Sequence, residues 1–437
     1  MTAEIAVLNK LAVALAADSA VTIKSPEKTK IFRTVNKLFA LSKHHPVGIM
    51  VHGNAEFMGV PWEVIIKAYR ENLGTQSFAT LKEYLEDFIG TVQTDSLLNL
   101  VEEERGFVRN TIQRALREVR DDINRQVERV LQRRKIADEE VASIVGEVLK
   151  ARLGPRSLLK DVGSLPVDHG EKIAAKYGPE LDKTVSEVFG GLPIDQDAAS
   201  QLRDYAIGLF TKDSFPPDQT SGIVVAGFGT RDIYPSVEWI DLQGRVEGVL
   251  KSRAHESTKV RVGLGAAIAP FAQREEVDAF MMGVNPKYFS AVSSFFRKLL
   301  DDYPEKILAT LTGMGDVERQ NLLEKWKAVS LESVARFHEG MQEFSSETFT
   351  DPIMSAVEAL PKDELATMAE TLVNLTSFKR KVTLDDETVG GAIDVAVISK
   401  GDGFVWIKRK HYFNLELNPH FTTQYFNRGS SGVGDGK

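Results

Sequence analysis

Thr2 is the first residue of this chain whose chemistry suggests a reaction. A threonine that begins a mature chain holds a nucleophile and a base in one residue, because its hydroxyl can attack a carbonyl while its own α-amine accepts the proton. The α-amine suits this task since its ordinary pKa is about 7.7–8.0. Met1 precedes Thr2, and the small side chain of Thr2 favours removal of that methionine. Many chains begin Met-Thr by chance, so Thr2 alone decides nothing.

Three later residues could complete such a site. Asp18 follows the apolar run ALAA, Lys37 begins KLFALS, and Gly53 closes VGIMVHG before a helical segment. A Lys–Asp pair beside the amine would orient it and lower its pKa through positive charge. A glycine N–H can approach a substrate oxyanion closely. Each residue also has an ordinary interpretation: Asp18 as a turn cap, Lys37 as a surface lysine and Gly53 as part of a turn.

The order of these segments resembles a known family. Thr2 with ALAADSAVTI, NKLFALS and VGIMVHGNAEF is similar to the proteasome β-subunits of the N-terminal-nucleophile (Ntn) hydrolases, and most to the bacterial proteasome-like peptidases. Thr2 and Asp18 stand sixteen residues apart, as the nucleophile and the aspartate do in that family. Later segments agree in order: SGIVVAGFGTRDIYPSVEWIDLQG, KVRVGLGAA and DETVGGAIDVAVISKGDG. The resemblance covers roughly half of the chain, in three pieces.

The resemblance implies an α+β fold, a four-layer αββα Ntn-hydrolase sandwich with large helical insertions and an active site at one end of its two sheets. It makes Thr2 the nucleophile, Lys37 the activating lysine and Gly53 the oxyanion donor. Asp18 becomes the partner of the lysine, and Asp386 matches the acidic residue near the free amine. We expect no metal and no organic cofactor.

The implied activity is that of a threonine-type peptidase, which cleaves a peptide or protein substrate through an acyl-enzyme on Thr2. Members of the family enclose their sites in rings, so a homo-oligomer is expected, and a regulatory or ATPase partner is compatible with it. An amidase acting on a small amide would use the same chemistry. A third hypothesis is a catalytically silent scaffold that uses its helical arms for assembly or partner binding.

Two positions depart from the family pattern. Leu264, between two glycines, and Val389, before a Gly-Gly pair, stand where serines usually hold the free amine and its water. These departures predict a weak, a differently tuned or a silent site. Lys30, in KTKIF, is a rival for the lysine role. Lys37 is preferred because KLFALS leads into VGIMVHG with nearly the family's distance to the glycine.

Three groups of strand signals must position these residues. The first group runs from EIAVLNKLAVALAADSAVTI to VGIMVHG, and Asn9-Lys10 predicts a hairpin turn within it. The second contains SGIVVAGFG, SVEWIDL and KVRVGLG, and the third contains GGAIDVAVIS and GFVWIKRKHYF. The short spacing within each group favours hairpins over parallel crossovers. Helical segments separate the groups, which favours layered sheets with helices outside.

The predicted Ntn core is discontinuous, with residues 1–98, 218–284 and 347–415. Residues 99–217 and 285–346 form helical insertions, and 416–437 form a glycine- and serine-rich tail. Apolar residues recur at steps of three and four on one long helix of the first insertion: Ile112, Leu116, Val119, Ile123, Val127 and Val130. Arginines and acidic residues alternate around this stripe, which favours a solvated helix face. A narrow stripe needs a partner, so a subunit-packing arm is one expectation.

Composition excludes several other classes. The formal net charge of -8 gives no reason to expect nucleic-acid binding. The absence of cysteine removes disulfides, thiolate nucleophiles and cysteine zinc sites, and fits a cytoplasmic location. No apolar run reaches the ~20 residues of a membrane span, and the opening lacks the basic start of a secretory signal. Phosphate-binding, zinc-protease and serine-elbow motifs are missing, and the spacing of His44, His45 and His52 is not a ligand pattern.

Overall fold

The computed structural model describes residues 3–24, 29–32, 34–94, 101–383, 390–411, 413–414, 416–420 and 423. It is a mixed α/β structure with antiparallel sheets. The strands are β1 (Ala3–Asn9), β2 (Ala12–Ala17), β3 (Val21–Lys24), β4 (Thr29–Phe32), β5 (Leu38–Ala40), β6 (Val47–Gly53), β7 (Glu56–Phe57), β8 (Val60–Pro61), β9 (Ser221–Gly227), β10 (Ser236–Val246), β11 (Val249–Ala254), β12 (Thr258–Lys259), β13 (Ala266–Ala272), β14 (Asp394–Ser399) and β15 (Gly403–Lys408). The helices are α1 (Trp62–Leu73), α2 (Leu81–Thr94), α3 (Val101–Leu131), α4 (Asp138–Ser157), α5 (His169–Phe189), α6 (Gln196–Thr211), α7 (Glu275–Met282), α8 (Pro286–Thr310), α9 (Asp316–Ser345), α10 (Asp351–Ala359) and α11 (Lys362–Val382).

The hairpin predicted at Asn9-Lys10 is confirmed. β1 and β2 pair antiparallel from Glu4–Ala17 to Leu8–Val13. They form the centre of a first sheet whose strand order is β13-β1-β2-β14-β15. Every residue of β1 and β2 is buried, which explains why both strands are almost uniformly apolar.

A second sheet faces the first across a layer of apolar side chains. Its strand order is β11-β10-β9-β6-β5, and its neighbours are antiparallel. Side chains from both sheets share one buried cluster, which includes Leu8 and Leu15 from the first sheet and Met50 and Val224 from the second. Because strand side chains alternate between faces, Ile5 and the other odd residues of β1 point to the opposite, helix-covered side.

Helices cover the outer face of each sheet. Leu365, Ala369 and Val373 of α11 pack into the cluster that contains Ile5, on the first sheet. Ile66 of α1, together with residues of α2, packs against β6, β9 and β10 of the second sheet. This packing buries the apolar stripe of each amphipathic helix, which stabilises both the helix and the sheet. None of the described helices is long and apolar enough to cross a membrane.

The strand predicted at KVRVGLG is wrong. Gly263 has φ +88°, and Arg261 and Leu264 exchange backbone hydrogen bonds of 3.0 Å across a tight turn. The strand β13 begins only after that turn, at Ala266, and contains Pro270. Proline removes one N–H donor, and β13 tolerates it because it lies at the edge of its sheet. Glycines flank a turn here, whereas the sequence pattern suggested a strand flanked by glycines.

The apolar stripe of α3 is buried inside the chain itself. Its residues share a hydrophobic cluster with side chains of α4, α5 and α6: Ile112, Leu116, Val119 and Ile123 with Leu149, Leu181 and Leu202. The expectation that this stripe packs against another subunit is therefore wrong, because helices of the same chain cover it.

The helices α8 and α9 pack against each other and leave several large apolar side chains exposed: Tyr288, Phe295, Tyr303, Val317, Leu331 and Phe344.

Candidate active site

A buried ion pair joins the two sheets. Asp18 directly follows β2 in the first sheet, and Lys37 directly precedes β5 in the second. The Lys37 Nζ lies 2.7 Å from the Asp18 Oδ1, and both side chains are almost completely buried. The Lys37 Nζ also donates to the Ala20 carbonyl oxygen at 2.6 Å. The structure thus brings together two of the residues that the sequence analysis selected.

The Asp18 carboxylate binds three separate backbone segments. Its Oδ1 accepts from the Ala3 N–H at 3.1 Å, and its Oδ2 accepts from the Gly390 N–H at 2.9 Å and the Ala20 N–H at 3.3 Å. Hydrogen bonds to an ionised acceptor are stronger than neutral ones and offset the desolvation of the buried charge. The carboxylate therefore holds the start of β1, the residue immediately after Thr2.

Lys30 does not share this position. It lies in β4 with an exposed side chain, and its Nζ lies 5.2 Å from the centroid of the Phe32 ring. Of the two candidate lysines, Lys37 is the one paired with Asp18. The role of that pair in a reaction stays a prediction.

Gly53 ends β6 at the same end of the second sheet as Lys37. The Val51 N–H donates to the Lys37 carbonyl oxygen at 2.9 Å, and Gly53 follows two residues later. Gly53 has φ +81°, and a Cβ there would lie 2.1 Å from the Thr220 carbonyl oxygen. Only glycine fits this backbone without displacement. Gly53 is exposed, so its backbone is accessible from solvent.

Thr2, Asp386 and Val389 lie outside the described residues. Ala3, which follows Thr2, and Gly390, which follows Val389, are described. Ala3 and Gly390 both donate to the Asp18 carboxylate. The predicted roles of Thr2 and Asp386, and the effect of Val389, stay predictions.

Leu264 is not at the Ala3 end of the first sheet. In the β1–β13 pairing, Ala3 lies opposite Ala272 and Asn9 lies opposite Ala266. Leu264 precedes Ala266, so it stands beyond the Asn9 end of β1, roughly 20 Å from Ala3 at about 3.3 Å per residue. The interpretation of Leu264 as a replaced active-site serine is therefore wrong, because it came from the incorrect placement of β13.

The residue of β13 that does lie opposite Ala3 is Ala272, which the sequence analysis missed. Ala272 has φ +63°, a left-handed conformation that a residue with a Cβ rarely adopts. The side-chain oxygen of Gln273 accepts from the Arg380 Nε at 3.0 Å, which ties this end of β13 to α11. Strained backbone of this kind concentrates at functional sites. The strain occurs directly opposite Ala3, the first residue of β1.

Glu4 is a second residue that the sequence analysis missed. Its side chain is fully buried, and within the described part of the chain neither carboxyl oxygen has a hydrogen-bond partner. Burial raises the pKa of Glu4 to about 8, although the positive charge of Lys37 opposes that change. The signal that could have revealed it is a carboxyl flanked by apolar residues inside a strand, AEIAVLN.

His52 lines the space between the sheets at the same end. A Cβ on Gly222 would lie 2.0 Å from the His52 ring, so that glycine provides the room for the ring. The ring stacks on Phe271, with centroids 6.1 Å apart. Burial lowers the pKa of His52 to about 4, with nearby Asp241 opposing and Lys37 reinforcing the change. His52 is therefore neutral near pH 7.

Among the described residues, no group of His, Asp or Glu side chains is arranged to hold a metal ion.

Comparisons with known proteins give little beyond this geometry. No protein-family model and no curated protein matches the chain. Among solved structures, the chain is similar to the Gly-1 mutant of Anbu from Hyphomicrobium sp. strain MC1, with 9% sequence identity, 100% coverage of both chains and a TM-score of 0.23. A likeness at this TM-score assigns neither a fold nor an activity.

Proposed function

We propose that the chain is a threonine-type Ntn hydrolase that cleaves amide bonds in peptides. The observation that carries the proposal is the buried Lys37–Asp18 pair, whose carboxylate binds the Ala3 N–H. Asp18 thus links Lys37 to Ala3, the residue that follows Thr2. A buried ion pair adds little net stability by itself, so its presence at a strand end suggests another role.

The proposed reaction proceeds through an acyl-enzyme. The Thr2 hydroxyl oxygen attacks the scissile carbonyl carbon, and the free Thr2 amine accepts the hydroxyl proton. The C–N bond then breaks, and the proton passes to the leaving amine. Water attacks the resulting ester and regenerates Thr2. Lys37 favours the neutral form of the amine, and the backbone N–H of Gly53 is the proposed donor to the oxyanion. Asp386 is the proposed acidic residue near the amine.

The proposal includes a fold and an assembly. Two facing sheets with helices on both outer faces support the four-layer αββα arrangement of Ntn hydrolases. Copies of the chain are proposed to associate, and the exposed apolar side chains of α8 and α9 support a contact between copies. Light scattering tests the assembly, and a monomer at working concentration would argue against a closed compartment.

The experiment that tests the activity is labelling with a threonine-directed epoxyketone, read by intact mass. The mass of the unlabelled chain must first show loss of Met1, because only a free Thr2 amine can act as the base. We expect one adduct on the wild type, none on Thr2→Ala, and a slower reaction on Thr2→Ser. A Met1-free chain that takes no label would contradict the proposal and favour a silent scaffold. A labelled chain that hydrolyses small amides but no peptides would favour an amidase.

A further inference from the structure

Glu4 occupies the layer between the two sheets. It lies on β1 opposite Ala17 of β2 and Phe271 of β13. The alternation of strand side chains puts Glu4 on the same face as Ala6 and Leu8, which belong to the apolar cluster between the sheets. A carboxyl group on this face is surrounded mainly by hydrocarbon. Its presence there needs an explanation in terms of its neighbours.

The described neighbours of Glu4 form no hydrogen bond with its carboxyl group. Most buried polar side chains in proteins have a hydrogen-bond partner, and an isolated buried carboxylate is costly. The carboxyl of Glu4 has no such partner in the described part of the chain. The protonated form removes the charge and most of that cost. Burial accordingly raises the pKa of Glu4 to about 8.

Among the described residues, two charged groups act on Glu4. Lys37, before β5, favours the ionised form, and Asp18, after β2, disfavours it. From β6, His52 stacks on Phe271 and is neutral near pH 7. From β13, the facing residue Phe271 does not titrate. The Lys37–Asp18 pair is therefore the charged group whose state an ionised Glu4 would alter.

We propose that Glu4 is a positioning residue of the Thr2 site, which holds a proton in the resting protein and so keeps the Lys37–Asp18 pair without a competing carboxylate. The inference rests on the proposed function. Loss of the Glu4 proton would place a second negative charge near Lys37, and that charge would favour the protonated, inactive form of the Thr2 amine. By keeping its proton, Glu4 keeps that charge away from the amine up to about pH 8.

The first arm of the test needs no activity. The Tm of the wild type and of Glu4→Gln is measured from about pH 4 to pH 9. Because the folded state binds the Glu4 proton more tightly than the unfolded state, the wild type should lose Tm relative to Glu4→Gln as pH rises from about 4.5 to about 8. Parallel Tm curves would overturn the inference. Glu358→Gln, on α10 near the other end of β1, is the matched control and should parallel the wild type.

The second arm measures the epoxyketone labelling rate against pH. Below about pH 7, Glu4 and its Gln replacement are both neutral, so Glu4→Gln should be labelled at the wild-type rate. Around pH 8 the wild type gains the Glu4 charge and the variant does not, so the wild type should be labelled about twofold more slowly than the variant. A residue that only fills space would change the rate by the same factor at every pH. A ratio of the two rates that does not change with pH would overturn the role of Glu4 while the proposed function stands. No labelling of the wild type at any pH would overturn both, and the Tm arm would still report whether Glu4 holds a proton.

If Glu4→Gln does not fold, the wild type provides the measurement by itself. Infrared spectroscopy should show the carbonyl band of a protonated carboxyl at about pH 6, where ordinary carboxyl groups are ionised. The band should disappear by about pH 9. Its absence at the lower pH would overturn the inference.

Discussion

Two polar side chains, Asn9 and Glu4, lie fully buried on the same strand. They differ in their hydrogen bonding. Asn9, at one end of β1, donates to the carbonyl oxygens of Val357 and Leu360 and accepts from the N–H groups of Leu11 and Ala12. Glu4, near the other end, has no hydrogen-bond partner in the described part of the chain. Asn9 stabilises a hairpin and its contact with α10. The burial of Glu4 opposes folding whenever it is ionised.

The surroundings of the Ala3 end and the Asn9 end of β1 also differ. Near Ala3, the Lys37–Asp18 pair is buried, and Ala272 adopts a left-handed backbone. Near Asn9, the ion pair of Lys10 with Glu358 is exposed to solvent. Natural sequences are consistent across local and global preferences except where function requires otherwise. The contrast indicates that the Asn9 end of β1 stabilises the fold. The Ala3 end contains energetically unfavourable features that the fold alone does not explain.

The largest expected effect comes from Lys37→Met at the Ala3 end. The substitution leaves the Asp18 carboxylate buried without its cation, and we expect the free energy of unfolding to fall by about 3–5 kcal/mol. The epoxyketone labelling rate of the folded protein should fall by about 10²–10⁴-fold, because the amine loses the positive charge that keeps it neutral. Denaturant unfolding and labelling kinetics measure the two effects.

The double variant Lys37→Met, Asp18→Asn separates these effects. Removing both charges should restore much of the stability, since no buried charge remains unpaired. It should not restore labelling. Recovery of labelling together with stability would show that the pair acts only through folding. Both ends of β1 would then contribute to stability alone.

Asn9→Ala should have the next largest effect, on stability alone. It leaves two backbone donors and two backbone acceptors without their side-chain partner, and water reaches only some of them. We expect a loss of about 2–4 kcal/mol in the free energy of unfolding. Below its transition temperature, the labelling rate should match that of the wild type. A labelling loss as large as that of Lys37→Met would contradict the division between the two ends.

The sequence predicts the parts of this site that depend on local pattern. The Asn9-Lys10 turn between two apolar runs is sufficient to predict the β1–β2 hairpin, and the order of strands is sufficient to bring Asp18 towards Lys37. The placement of β13 could not be predicted in the same way. The run VRVG has a higher strand propensity than AAIAPFA, and Pro270 argues against a strand unless its edge position is known.

Glu4 was beyond sequence reasoning for a different reason. A carboxyl inside an apolar strand is visible in the sequence, but its meaning depends on neighbours from distant segments. Phe271 lies opposite it on β13, and Lys37 and Asp18 act on it from the ends of two other strands. The same holds for Gly53, whose need for glycine comes from the Thr220 carbonyl oxygen more than 160 residues away along the chain.

Gly53→Ala tests the Ala3 end of the molecule through its backbone. The added Cβ would meet the Thr220 carbonyl oxygen, and φ +81° adds strain of about 1–3 kcal/mol. We expect lower stability and slower labelling, since the proposed oxyanion donor moves. The matched control is Gly263→Ala near the Asn9 end, where φ is +88° but no atom lies within 4 Å of the added Cβ. This control should lose stability through backbone strain alone. Equal labelling by both variants would argue against Gly53 as the donor.

The smallest expected effect comes from Lys10→Met, which breaks the exposed ion pair with Glu358. Solvent and salt screen exposed pairs, so we expect a Tm shift of less than about 2 °C that shrinks further at high salt. Labelling should be unchanged. Lys10 and Lys37 both pair with a carboxylate near an end of β1, and they differ mainly in burial. A large, salt-independent Tm shift for Lys10→Met would mean that burial does not distinguish the two ends of β1. The comparison between the two ion pairs would then no longer support a functional interpretation of the Lys37–Asp18 pair.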